Sequence, residues 1–530
     1  MMVKPWSTLG CSMATVLPMS SEAPASPLSR RVTWVLPALA VGTGVLHLLF
    51  AGRYGYFRDE LYFIACGQHL AWGYVDQPPL IALLARITTA LFGDSVTGLR
   101  VLPALAAGGL VALTGWLARR LGGGTHAVVL ASVAAALAPA FLVFGHMLTM
   151  NAFEPLFWTG CVALLVEMIR TDDRRLWLGV GALVGVGLLN KHSMGFFAVC
   201  LALGLLLTPQ RRLMRSRWLV LGGVLATLIV LPHMLWQFQH GWPMFELLRN
   251  GQLYKNAPFA LGEFFSGQVL LLHPLFAPLH LAGLGFLLFA PSARPYRALG
   301  LGFVLLLGLY IVLKAKAYYM APAYPMLFAA GAGVIERAVR RTLPRAAMLA
   351  VAVAGGAALA PMSLPVLPVE AFIAYQRALG LEPPRTERHR MGSLPQHYAD
   401  QHGWRELVAA VADVYQRLPP EEQARTMLFA QNYGQAGALD WLGRAYGLPP
   451  ARSGHNNYFL WGFGGTEPSV LLILGGKAED HSQVCARLEV AARLPPNPYV
   501  MPYEDQLPIY VCRGLKAPMA TIWPRVKHYE

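Results

Sequence analysis

An all-α polytopic membrane domain followed by a C-terminal extracytoplasmic α/β domain is the architecture this sequence predicts, and three observations predict it. The 530 residues are 55% hydrophobic and only 13% charged, with a mean hydropathy of +0.44, whereas about a quarter of the residues of a soluble domain carry charge. The apolar residues collect in runs near the length that crosses a bilayer. Beyond residue 367 the runs stop, and apolar and polar residues alternate as in a water-soluble fold. Because only helices satisfy their backbone hydrogen bonds within one segment in lipid, the runs imply helices.

Taken in chain order, residues 1–29 are rich in Ser, Pro and Ala and have little to bury, so they read as a disordered cytoplasmic lead before an uncleaved signal anchor. Spans follow over 32–51, 96–118, 126–145, 152–169, 217–236, 265–290 and 345–367. Two shorter pairs are punctuated by polar residues: 176–190 and 194–208 flank Asn190-Lys191-His192-Ser193, and 299–313 and 320–339 flank Lys314-Ala315-Lys316. Together they suggest about eleven spans. The membrane domain is expected over 30–367 and the α/β domain over 368–530. In the latter, Arg425–Gln431, Ser469–Leu474 and Leu507–Cys512 read as strands, and Trp404–Arg417, Gly434–Tyr446 and His481–Ala492 as amphipathic helices.

The net charge of +15 is placed by position. Arg30 and Arg31, Arg119 and Arg120, the arginines of 170–175, those of 211–217, Arg294 and Arg297, and those of 337–345 fall in every second gap between helices. The positive-inside rule predicts this alternation for cytoplasmic loops of an inner-membrane protein. The N-terminus is then cytoplasmic and, with an odd number of spans, the tail extracytoplasmic. The same distribution excludes a nucleic-acid partner, which would gather the charge on one soluble face. Of six cysteines, Cys485 and Cys512 lie in the tail, where oxidation is permitted and a disulfide between them is allowed; no zinc-site spacing occurs.

In a chain so short of charge, each carboxylate near the bilayer needs water, a partner or a function. Arg58-Asp59-Glu60 in the first external loop is the densest site, with Asp76-Gln77-Pro78-Pro79 downstream. Carboxylates also suit the first turn of a helix, and Arg58 can neutralise them. Asn151 and Glu154 occupy the next external turn. Lys191 falls on the external side against the orientation trend, which leaves two readings open, snorkelling to the interface or contact with an anionic phosphate. Lys314, Lys316, Tyr318 and Tyr319 form a second basic, aromatic cluster on that face. Asp76 is as well suited to shaping its turn as to catalysis.

These residues resemble a known family, the bacterial polyprenyl-phosphate-dependent glycosyltransferases of the family 39 type, related to protein mannosyltransferases and lipid A aminoarabinose transferases. The resemblance rests on Arg58-Asp59-Glu60-Leu61-Tyr62, on Leu70 to Leu80 with its Gly73-Tyr74-Val75-Asp76-Gln77-Pro78-Pro79 turn, on Lys191-His192-Ser193, and on Ala317 to Pro325. Asn432-Tyr433-Gly434-Gln435-Ala436-Gly437 and Ser453-Gly454-His455-Asn456-Asn457-Tyr458 are similar to the members with an external α/β appendage.

The resemblance implies a GT-C membrane fold and an inverting transfer of a hexosyl or pentosyl group from a polyprenyl-phosphate carrier to a hydroxyl of a lipid, glycan or protein acceptor. Carried over by motif, Asp59 is the base, with Glu60 orienting the acceptor or its loop. Lys191, His192, Lys314, Lys316 and Arg58 meet the donor phosphate. Asp76, Gln77, Asn151, Glu154, Tyr318 and Tyr319 bind substrate or shape loops. Asn151 stands where many relatives carry an aspartate, so acidic duty there passes to Glu154 or lapses. A divalent metal is compatible with the acidic motif, but two carboxylates alone do not establish one. The rival readings are a lipid-linked glycan ligase or polymerase, whose large external loop would lie between later helices, and a lipid transporter or flippase, whose two halves would correspond.

Overall fold

A computed structural model describes residues 27–530 apart from Pro384 and Thr386, with side chains from Trp34 onward; of the expected lead, residues 1–26 lie outside the described residues. The chain is a multi-pass membrane protein. Among the described residues, five helices are long and apolar enough to cross a bilayer, within Val96–Arg120, Met150–Thr171, Arg217–Gln239, Pro291–Val312 and Thr342–Met362, and two bent pairs raise the number to seven if each is one span. The expected count of about eleven is not reached by this measure, because Trp34–Phe50, Leu80–Phe92, Leu176–Asn190 and Ser193–Leu206 are apolar but shorter than a full span.

The bends have local causes. Thr125–Leu137 and Pro139–His146, expected as one span, meet at 61°. Ala138 precedes Pro139 and is extended (φ −64°, ψ 126°), the conformation that the proline ring imposes on its predecessor. Leu261–Leu270 and Pro274–Phe289 meet at 87°, again before a proline, where His273 takes φ 75° and its Nδ1 accepts from the Leu275 amide at 3.1 Å. Small residues bring helices together where lipid gives no hydrophobic drive between them. A Cβ on Gly283 would overlap the Leu327 carbonyl, and one on Gly331 that of Leu279, so the helices containing them touch backbone to backbone.

The two ends of the bundle differ in charge. Arg120 pairs with Glu167 at 3.3 Å, Arg170 donates to the Arg120 carbonyl at 3.4 Å, and Arg174 to that of Arg215 at 3.1 Å. Nearby Glu336 accepts from the Gly124 and His126 amides and caps the helix Thr125–Leu137. The opposite end carries the helix Arg58–Gln68 and the α/β region. The latter holds five strands, β1 (Thr426–Ala430), β2 (Ala451–Ser453), β3 (Val470–Leu474), β4 (Cys485–Arg493) and β5 (Pro508–Leu515), in the order β2-β1-β3-β5-β4. Strands β2, β1 and β3 are parallel and β5 and β4 antiparallel.

Three expected strands and two expected helices, Trp404–Gln416 and Tyr433–Leu442, are present. The third expected helix, His481–Ala492, is corrected: only Ala478–Ser482 is helical and the rest is edge strand β4. A register shift between Val490 and Ala492 breaks the two-residue alternation there, so the strand signal was masked. Cys485 and Cys512 are joined in a disulfide between β4 and β5, with Cα atoms 5.6 Å apart.

One apolar core is shared between the first loop and the α/β region. Leu61, Tyr62 and Ile64 of the helix Arg58–Gln68 cluster with Val408, Leu428, Leu439 and Tyr458. That sharing explains why the loop helix is buried all round from Glu60 to Gly67. Opening the disulfide is expected to destabilise the sheet by about 3.5 kcal/mol, from the sequence separation of 27 that it closes. Amide exchange across β4 and β5, with and without reductant, checks it.

Candidate active site

The helix Arg58–Gln68 opens with three charged residues, and their surroundings separate them. Glu60 is fully buried and accepts four hydrogen bonds: from Arg100 Nε (2.9 Å) and Nη2 (2.8 Å), from the Leu148 amide (2.8 Å), and from the Phe57 amide (2.8 Å). The last is the reach-back of a third helical residue to the N–H before its helix. Arg100, equally buried, also donates to the carbonyls of Ala51 (2.7 Å) and Gly55 (2.8 Å) and to His146 Nε2 (3.1 Å). A guanidinium has no acceptor, so His146 accepts on Nε2 and carries its proton on Nδ1. Glu60 and Arg100 thus pin both flanks of the loop to the bundle.

Asp59 faces the other way. Its Oδ1 accepts from the Tyr433 hydroxyl at 2.9 Å and lies 3.7 Å from Arg58 Nε. Its side chain is 32% exposed. Arg58 is held by the Tyr503 hydroxyl at 2.5 Å, by Asp400 at 3.8 Å, and over the Tyr433 ring at 5.3 Å. Asp76 is shut in: Oδ1 accepts from the Tyr62 hydroxyl at 2.9 Å and Oδ2 from Asn456 at 3.3 Å. Burial pushes its carboxyl up to about 6 against the pull of the Tyr62 bond. Burial likewise pushes Asp400 up to about 7, with Arg58 opposing. Gln77 is turned inward, its Nε2 donating to Cys66 Sγ at 3.5 Å.

A second cluster gathers on neighbouring helices. Lys191 Nζ donates to Asn151 Oδ1 (2.8 Å) and Glu154 Oε2 (2.9 Å) and lies 4.5 Å from the Tyr319 ring centroid. Ser193 bonds the other Glu154 oxygen. His233 Nδ1 meets the Trp72 carbonyl at 3.0 Å and so carries a proton, leaving its Nε2 to accept from His192 at 2.9 Å. Lys316 pairs with Glu387 at 3.4 Å, and the Tyr318 ring centroid lies 5.6 Å from Lys191 Nζ. Lys314 alone stands apart, exposed at φ 53°, and its ammonium has no polar partner among the described residues. Among the described residues no three His, Cys, Asp or Glu side chains converge as metal ligands. No step is therefore assigned to a metal.

Arg100, Asp400, Glu387, Tyr433 and Asn456 were not picked out individually from the sequence as site residues. Arg100 had a signal: it is a lone arginine at the external end of the apolar run 96–118, against the orientation trend. The others become visible only when the α/β region docks.

Residues 76–236 match the family model described as dolichyl-phosphate-mannose-protein mannosyltransferase. The resemblance to the family 39 type stands. Among curated proteins, the chain is 29% identical to the lipid A galacturonosyltransferase RgtD of Rhizobium johnstonii over 193 residues, 35% of this chain and 39% of that one. It is 29% identical over 250 residues to an undecaprenyl phosphate-alpha-4-amino-4-deoxy-L-arabinose arabinosyl transferase of Pseudomonas fluorescens, 43% of this chain and 36% of that one. The chain thus spans about two fifths of the length of these curated relatives. In three dimensions it is similar to ArnT from Cupriavidus metallidurans bound to undecaprenyl phosphate, with a TM-score of 0.55 at 16% identity, covering 91% of this chain and 98% of that one. That likeness shows the fold: a helical bundle like that of ArnT, here carrying a small C-terminal sheet.

Replacing Arg100 by Met would leave Glu60 buried without a counter-charge and is expected to cost about 3 to 5 kcal/mol. Adding Glu60→Met should recover much of it. Thermal unfolding in detergent checks this, and equal losses in single and double variants would mean that Arg100 acts through its carbonyl contacts instead.

Proposed function

We propose that this protein transfers a sugar from a polyprenyl-phosphate carrier to an acceptor hydroxyl at the extracytoplasmic face of the bacterial inner membrane, inverting the anomeric centre. One observation carries the assignment of the base: of the carboxylates in the two acidic motifs, Asp59, Glu60 and Asp76, Asp59 alone keeps an oxygen, Oδ2, without a hydrogen-bond partner among the described residues, on a side chain that is 32% exposed. Glu60 and Asp76 have both oxygens engaged. A general base must reach the proton it removes. Asp59 Oδ2 takes the acceptor proton as the acceptor oxygen attacks the anomeric carbon opposite the phosphate, and the carrier leaves as its phosphate monoester.

Negative charge grows on the leaving phosphate, and Lys191, Lys316 and Arg58 supply cations beside the cluster. Each is already oriented by a partner, Glu154, Glu387 and Tyr503 respectively. They need little reorganisation on binding. Glu60 keeps its loop in place, and Tyr318 and Tyr319 present their rings to Lys191, with His192, next to Lys191 in sequence, as a further donor to the phosphate. The basic end of the bundle supports a cytoplasmic assignment for that end and hence an external one for the site. The relatives named above as acting on lipid A and aminoarabinose make a polyprenyl-phosphate-linked sugar the donor class to test, with lipid, glycan and protein as acceptor classes.

The test is consumption of labelled polyprenyl-phosphate sugars by the purified protein in liposomes. The wild type is expected to consume one of a panel, Asp59→Asn none, and Lys191→Ala to show a KM for the donor raised about tenfold. Equal turnover by Asp59→Asn would remove the base assignment, and no consumption of any carrier by folded protein would favour a ligase or a lipid transporter.

A further inference from the structure

The catalytic loop does not hold its carboxylates by itself. Among the described residues, the side chain of Asp59 takes its hydrogen bond from Tyr433, 374 residues away in the chain, and that of Asp76 takes one from Asn456. Both donors follow the C-terminal ends of neighbouring parallel strands, β1 and β2, where α/β sheets present their functional loops. Tyr433 opens the helix Tyr433–Leu442, whose N-terminus Asn432 caps by accepting from the Gln435 amide at 3.0 Å. Asn432 and Gln435 also donate to the two oxygens of buried Glu504, at 2.8 and 2.7 Å.

The Tyr433 ring is fixed on three sides. Its centroid lies 4.7 Å from that of Tyr62, 4.7 Å from that of His455, and under the Arg58 guanidinium. It is 6% exposed. Gly437, one turn on, lets the helix touch the loop: a Cβ there would sit 2.8 Å from the Leu61 carbonyl. The hydroxyl therefore meets Asp59 at a set position. Burial raises the phenol well above its ordinary range, so it stays protonated and donates.

We propose that Tyr433 is a positioning residue for the proposed base: its hydroxyl engages Asp59 Oδ1 and leaves Oδ2 turned toward the acceptor, so that the α/β region completes the active site. This rests on the reading of Asp59 as the base. The charged and titratable groups that face Asp59 are Arg58 of its own helix, Tyr433, Asp76 and Asp400. A hydroxyl that fixes one carboxylate oxygen also fixes the direction of the other. Losing it misplaces the base in the transition state, which lowers kcat and leaves the KM for the donor unchanged.

The experiment measures kcat and the KM for the donor in liposomes for wild type, Tyr433→Phe and Asp59→Asn, using whichever labelled polyprenyl-phosphate sugar the wild type consumes. Tyr433→Phe keeps the ring and removes the hydroxyl. It is expected to lower kcat about tenfold with the KM for the donor unchanged. Should that variant not fold, Gly437→Ala, which pushes the helix off the Leu61 carbonyl and keeps the hydroxyl, is expected to lower kcat about threefold with the same unchanged KM. Activity in Asp59→Asn overturns the base assignment and this inference together. An inactive Asp59→Asn beside a Tyr433→Phe with wild-type kcat overturns this inference alone. A Tyr433→Phe that raises the KM for the donor as much as it lowers kcat also overturns it, because that is the behaviour of a packing residue.

Discussion

A carboxylate with no exposed surface needs a counter-charge and a full set of donors, and Glu60 obtains both from Arg100 and two backbone amides. The pair is the fixed point of the site. Arg100 stands at the head of the long helix Val101–Arg120, so the loop helix is tied to the bundle rather than to its own turn. The same guanidinium binds carbonyls at 51 and 55, before the loop helix. With Glu60 held on one side, Asp59, the preceding residue on the helix, is directed toward the other. The sequence motif Asp-Glu thus divides into a residue that anchors and a residue that is free to act.

The second constraint is the docking of the α/β region onto this helix. Its contacts are apolar around Leu61 and Ile64 and polar around the carboxylates. The Asn457 side chain accepts from the Val75 amide at 2.8 Å, and the Asn457 amide donates to the Tyr62 hydroxyl at 3.2 Å, which in turn donates to Asp76. A chain of bonds therefore runs from β2 through a tyrosine to a loop carboxylate. Burial raises Asp76 and Asp400, which is the electrostatic consequence of closing water out of this seam.

Much of the fold was legible because membrane energetics is a strong filter on sequence. The runs 152–169 and 217–236 became the helices Met150–Thr171 and Arg217–Gln239, and the polar break at 190–193 divides two short helices at Lys191. The bend at Ala138 was missed because a proline within an apolar run does not lower its hydropathy enough to mark a break. Strand β4 was missed because its bulge erased the alternation. At the site, Asp59 and Lys191 were legible as charges out of place. Their partners Tyr433 and Glu154 were not equally so, since an aromatic in a soluble fold and an acid at a helix start each have an ordinary explanation.

The bond between Tyr433 and Asp59 spans 374 positions of the chain. The first loop is synthesised early, before most of the membrane helices exist, yet the helix that steadies it, Tyr433–Leu442, follows all of the candidate spans described. A long-range contact of this kind forms late in folding, after the closure entropy of the intervening chain has been met. A chain stopped before residue 433 would carry the basic residues of the bundle but lack the hydroxyl beside Asp59. Synthesis of the α/β region is thereby coupled to the setting of that side chain, and a copy truncated before it would hold an unsteadied carboxylate.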